Sequence, residues 1–172
     1  IILADTTDHS PAAGNNLGTR TDQIDLTSLA SGSYRQSSKF DTGSPRAKLW
    51  EMSAAIEFGT APSAGNLIEF YLGFSHSTTA GTGNPGNLSG SDGAYVGYGA
   101  AASDADECIN QLDYIGSLVL SNDADIHIGH VGYFLPRQRY GILVVKNASD
   151  QSLQSDAVEM SVRLSPVKDQ IQ

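Results

Sequence analysis

Large apolar residues occupy every second position from Lys48 to Phe58. Trp50, Met52, Ala54, Ile56 and Phe58 point one way, with Glu51, Ser53 and Glu57 on the other side. A side-chain period of two is what a strand with one buried face requires. The pattern returns from Ile68 to Phe74, and again at Val158, Met160, Val162 and Leu164 with Glu159, Ser161 and Arg163 between them. No segment of similar length carries the period of an amphipathic helix. Eight strands are predicted, over residues 22–29, 47–58, 67–75, 94–99, 113–120, 125–135, 139–147 and 156–165, separated by turn-rich stretches such as Gly43-Ser44-Pro45. Residues 113–120 and 139–147 are apolar on both faces, as Ile142, Leu143, Val144 and Val145 illustrate. That pattern marks a central strand covered on both sides, or a strand at an interface.

One short helix is expected. Ser103 would cap it, Asp104, Asp106 and Glu107 suit its positive end, and Cys108, Ile109 and Leu112 would face inward. The fold class is therefore all-β: a two-sheet antiparallel sandwich of jelly-roll type with one short helix. Residues 1–21 read as an extended N-terminal arm, and 22–172 as the sandwich domain. The arm's apolar tip, Ile1, Ile2 and Leu3, is either a loose terminus or a grip on a neighbouring subunit. Residues 76–93 consist almost entirely of Ser, Thr, Gly, Asn and Pro, a length typical of functional or partly mobile loops.

Composition narrows the function classes. A chain of 172 residues is one domain and buries roughly two-thirds of its unfolded surface. Charged residues make up 17%, below the usual share of about 25%. The net charge of -9 argues against a phosphate backbone as partner, so no nucleic acid is expected. It suits solubility, or docking onto a basic surface. Cys108 is the single cysteine, which leaves no disulfide framework and no sulfur metal cluster, and fits a reducing compartment. No apolar run reaches the roughly eighteen residues of a membrane helix, and no signal peptide is visible, so no membrane partner is expected.

Several motifs tempt and fail. His127-Ile128-Gly129-His130 spells a nucleotide-binding signature of class I aminoacyl-tRNA synthetases, but it lies in an alternating strand that sends its two histidines to opposite faces. Gly81-Thr82-Gly83-Asn84-Pro85-Gly86 matches a dinucleotide-binding pattern, yet the residues after it do not propagate the helix that pattern needs. Asp104, Asp106 and Glu107, or Asn122, Asp123 and Asp125, cluster oxygens without calcium-loop spacing. The four histidines lack zinc spacing. Ser75-His76 and Glu51/Glu57 are the nameable hydrolytic candidates, and the two glutamates stand roughly 20 Å apart along one strand. Glu69 is a further carboxylate that would complete a pair with either. Asn87-Leu88-Ser89 and Asn147-Ala148-Ser149 are glycosylation sequons. The reading is of a chain with no catalytic residues, no metal and no cofactor.

Pro136-Arg137-Gln138-Arg139-Tyr140-Gly141 stands apart, because it places two of ten basic residues between two apolar strands. It is either a hairpin with exposed arginines or a subunit contact to an acidic loop of another copy. That segment, followed by Ile142-Leu143-Val144-Val145, by Ser155-Asp156-Ala157-Val158-Glu159-Met160 and by Leu164-Ser165-Pro166, resembles small virion proteins of tailed phages and prophages. Ile68-Glu69-Phe70-Tyr71 and the Ala80–Gly86 run share in the resemblance, which covers about residues 47–168. It implies a capsid decoration or cement protein that bridges subunits of the major capsid protein as a homo-oligomer, dimer or trimer. The expected location is the outer capsid surface, after folding in the host cytoplasm. Ile1, Ile2, Leu3, Arg137, Arg139 and Tyr140 are the interface candidates. The alternative is a carbohydrate-binding sandwich or virion adhesin using Tyr34, Tyr95 and Tyr98.

Overall fold

A computed structural model describes residues 1–5, 8–9, 18–44, 47–99, 102–156 and 159–168. Its strands are short near the N-terminus: β1 (Ile2–Ala4), β2 (Asp8–His9), β3 (Gly18–Thr19), β4 (Asp22–Gln23), β5 (Tyr34–Gln36) and β6 (Phe40–Asp41). The periodic segments supply the long ones, β7 (Trp50–Ile56), β8 (Leu67–Ser75), β10 (Asp113–Val119), β11 (His127–Phe134), β12 (Tyr140–Ala148) and β13 (Ser161–Pro166), with β9 (Gly93–Ala94) short between them. The helix α1 (Ala102–Cys108) runs into a 3-10 turn over Ile109–Gln111.

Two sheets stack. The first has the order β11-β7-β13-β1-β4 and the second β10-β8-β12-β5-β9, with β6 also pairing β12. β2 and β3 form a separate ribbon. Along the chain the long strands switch sheets repeatedly, and each late strand inserts between two early ones. β13 enters between β1 and β7, and β12 between β5 and β8. That interleaving makes two Greek keys, the jelly roll. Among the described residues all strand pairings but one are antiparallel; β1 and β4 run parallel.

The alternating residues face each other across the sandwich. Met52, Ile56, Phe70, Leu72, Leu143, Val145 and Leu164 are all buried in this first core. Each such side chain contributes roughly 1.5–3 kcal/mol over its exposed state. Trp50, Phe134 and Phe74 close one end, with successive ring centroids 6.2 Å apart. The expected arm begins as part of this structure. Leu3 is fully buried, pairing with Val162 on one side and Asp22 on the other. Residues 6–7 and 10–17 of that segment lie outside the described residues.

The two-sided apolarity of β12 has an intramolecular cause. Ile142 and Val144 point away from the first core into a second one, made by Tyr34, Leu88, Tyr95, Cys108, Ile109 and Leu112. Residues 76–99 and 102–112 thus form a lid over the outer face of the second sheet, which buries Cys108, Ile109 and Leu112 as expected, although only Cys108 of the three lies in the α-helix. The Ser/Gly-rich part of that lid is tied down. Lys39 Nζ donates to Ser75 Oγ (3.1 Å) and to the carbonyl oxygens of Ser77 (3.0 Å), Thr79 (2.8 Å) and Thr82 (3.2 Å). Asn84 Nδ2 bridges the carbonyls of Ala80 and Leu88 at 2.6 and 2.7 Å. The Tyr34 hydroxyl and Lys146 Nζ both donate to Asp106, which anchors α1.

Candidate functional site

The interface candidates divide. Leu3 has no surface left to offer, because the sheet it joins covers it; the Ile1 ammonium donates to the Leu164 carbonyl (2.9 Å). Ile2 is half-buried in β1, opposite Arg163. Arg139 grips Asp41 with a two-point fork, Nε to Oδ1 at 2.9 Å and Nη2 to Oδ2 at 2.7 Å, and lies over the Tyr140 ring. Its partner is thus a carboxylate of the same chain, which holds Asp41 below the usual carboxylate range. Arg137 donates from Nη2 to Asp113 Oδ1 at 2.6 Å, and its side chain remains 73% exposed.

The aromatic candidates are corrected. Tyr34 and Tyr95 are buried in the second core, since α1 and the 85–97 segment fold over them; Tyr98 alone of the three is exposed. Most other exposed apolar side chains lie elsewhere. Tyr114, Val119, Ile128, Tyr133 and Leu135 make up five of the seven exposed large apolar side chains among the described residues. All belong to β10, β11 or the residue after it, the edge strands at which both sheets end.

That edge has an unusual build. Each strand carries a β-bulge, an extra residue at Ile115 in β10 and at Val131 in β11. The bulges face each other. A Cβ on Gly116 would overlap the Val131 carbonyl oxygen, and one on Gly132 would come within 2.5 Å of the Ile115 carbonyl oxygen. Bulges bend and twist their strands, so the two edges close toward each other without a hydrogen-bonded ladder between them. Beside the bulges lies a hollow of about 460 Å³ between Tyr114, Tyr133, Leu135 and Arg137. A second hollow of about 170 Å³, reached by Gln111 and Gln138, shares Asp113 and Arg137 with the first. The ion pair is the ridge between them.

The outer faces of the two sheets differ. Residues 76–99 and 102–112 cover the second outside its edge strand β10, while the first carries Ser53, Ser161 and Arg163 beside a shallow hollow of about 100 Å³ at Ile128. Val119, the last residue of β10 in the second sheet, and Ile128, near the start of β11 in the first, are exposed at the two ends of the 120–126 connection.

The reactive groups are engaged in structure. Ser75 Oγ is buried and accepts from Lys39 Nζ. Ser121 Oγ and His127 Nε2 lie 3.0 Å apart, but His127 Nδ1 is buried without a hydrogen-bond partner, so no third group orients the imidazole as acyl transfer requires. His127 packs edge-on against Phe58, whereas His130 points outward beside Glu51 at 3.9 Å. Gly81–Gly86 leads only into a 3-10 turn at Pro85–Asn87. Asn147, the residue of one sequon, is fully buried. Glu57 is grouped with Asp156 and Glu159, with carboxylate oxygens within 4.8 Å of one another. Desolvation, then Asp156 and Glu57, push the Glu159 carboxyl up to about 7.

Tyr114 and Tyr133 sit in segments predicted as strands, and alternation alone does not reveal which apolar side chains remain uncovered at a sheet edge. Comparison with known proteins finds no matching family, no matching curated protein and no matching solved structure.

Proposed function

We propose that this chain is a non-enzymatic structural protein of a tailed-phage virion, one that decorates the capsid and bridges subunits of the major capsid protein. The observation that carries the reading is the asymmetry of the two sheets. Residues 76–99 and 102–112 of the chain itself cover much of the second, while the first keeps a shallow hollow at Ser53, Ile128 and Arg163, and exposed Val119 and Ile128 stand at the connection between the two sheets. The hollow and the exposed connection offer a seat to another protein's surface, and the two apolar side chains supply anchors that water would rather release. The net charge of -9 favours a basic docking surface and keeps free copies apart in solution. Homo-oligomerisation on the lattice multiplies weak single contacts. The phage resemblance of residues 47–168 supplies the identity of the partner.

The test mixes purified protein with expanded, undecorated capsids. Saturable, stoichiometric binding at micromolar concentration is expected, and the V119D/I128D variant loses it while keeping the wild-type melting temperature. Absence of binding by the wild type overturns the proposal. Truncating the N-terminus is a poor alternative test, because β1 is built into the first sheet.

A further inference from the structure

We infer that the hollow between Tyr114 and Tyr133 is a binding site for a neutral oligosaccharide, with the Asp113–Arg137 pair reading its hydroxyl groups. The inference is independent of capsid docking. Both tyrosines are more than half exposed and line one hollow. Its volume of about 460 Å³ lies within the roughly 300–1,000 Å³ of small-ligand clefts.

Each ring is braced from behind. Tyr114 leans on Tyr71 with centroids 5.2 Å apart, and Tyr71 is itself fixed by donating its hydroxyl to Glu69 at 2.8 Å. Tyr133 leans on His130 at 4.7 Å. Exposed rings held in place lose little conformational freedom when something stacks on them. A pyranose ring has an apolar C–H face that suits such a platform and a rim of hydroxyl groups that needs planar donors and acceptors. Arg137 offers guanidinium N–H donors beyond the one used by Asp113, and Asp113 offers carboxylate oxygen. Across that ridge the smaller hollow is reached by the Gln111 and Gln138 amides, which suit a second sugar unit.

Charge selects among occupants. The Asp113–Arg137 pair is neutral as a unit, and the chain as a whole carries -9, so an acidic glycan meets net repulsion. A second copy of the chain brings the same negative field. A neutral saccharide is indifferent to it.

The experiment titrates isotope-labelled full chain with tetramers of β-1,4-glucose, α-1,4-glucose and β-1,4-N-acetylglucosamine, backed by a glycan array. Saturable binding of a neutral glycan is expected, with amide shifts at Tyr114, Tyr133, Arg137 and Gln138. Tyr114→Ala and Tyr133→Ala each weaken it about tenfold, the scale of one lost stacking contact. Tyr133→Phe, which keeps the ring, stays within about threefold. V119D/I128D binds glycan as the wild type does, which separates this site from capsid docking. The inference is overturned by no neutral glycan binding up to about 10 mM, by hits on acidic glycans alone, by binding that survives the double tyrosine-to-alanine variant, or by a wild-type dimer that this variant dissociates.

Discussion

Gly116 lies directly against the carbonyl oxygen of Val131, where the bulged edge strand of one sheet meets the bulged edge strand of the other. The reciprocal contact, Gly132 against the Ile115 carbonyl, makes the approach symmetrical. Backbone meets backbone there, so no side-chain rotation relieves a methyl group. Gly116→Ala is therefore expected to destabilise the fold by about 1–3 kcal/mol, as overpacking does. Urea unfolding monitored through Trp50 measures it. A change within experimental error shows that the two edges do not need this closeness.

Lys39 holds three carbonyl oxygens and a hydroxyl of the 75–82 segment. Lys39→Met keeps the stem and removes the ammonium. The expected result is local opening: amide exchange across residues 76–83 accelerates about 10- to 100-fold, on the order of one to two charge-assisted hydrogen bonds. Exchange in β7 and β13 stays as in the wild type. Uniform acceleration across the chain indicates a global role instead.

Asn147 is a buried polar hub. Its Nδ2 donates to the carbonyls of Leu29 and Gln151, both at 2.8 Å, and its Oδ1 accepts from Ser149 N and Oγ at 3.1 and 2.6 Å. Asn147→Ala removes these four bonds and leaves the buried Ser149 N–H without its acceptor, while the Leu29 and Gln151 carbonyls keep Leu153 N–H and Ser149 Oγ; it is expected to cost about 1–3 kcal/mol. Equilibrium unfolding gives the value. Expression in a glycosylating host is expected to leave Asn147 unmodified, read by peptide mapping that separates it from the exposed Asn87 sequon.

The Glu57, Asp156 and Glu159 cluster makes stability depend on pH. Glu159 titrates at about 7 in the folded chain against an ordinary 4.5. Between those values the folded state holds a proton that the unfolded state has released. This contribution is therefore fully present below about pH 4.5 and is lost as pH rises through 7. Solvent screening limits it to the order of 1 kcal/mol, or about 2–4 °C in melting temperature. The difference between wild type and Glu159→Gln isolates it, because Asp41, Asp106 and Asp150 are shifted downward and titrate in more acid solution. The variant is expected to gain on the wild type between pH 5 and 8; an unchanging difference removes the cluster from the account.

By itself the sequence determined the long strands, because a period-two pattern such as Trp50 to Phe58 has one face that water expels. It also indicated one short helix with Cys108, Ile109 and Leu112 facing inward, but α1 ends at Cys108, Ile109–Gln111 forms a 3-10 turn, and Ser103 lies within the helix rather than at its cap. β1, β5 and β6 were not legible, since strands of two or three residues are too short to show a period and form only where longer neighbours offer a free edge. The burial of Leu3, Tyr34 and Tyr95 and the exposure of Tyr114 and Tyr133 were decided by tertiary structure alone. An apolar side chain carries no mark of which strand ends its sheet or which loop returns to cover it. Only the stacking of the sheets, and the fold of residues 76–99 and 102–112 across one of them, assigns each to the core or to water.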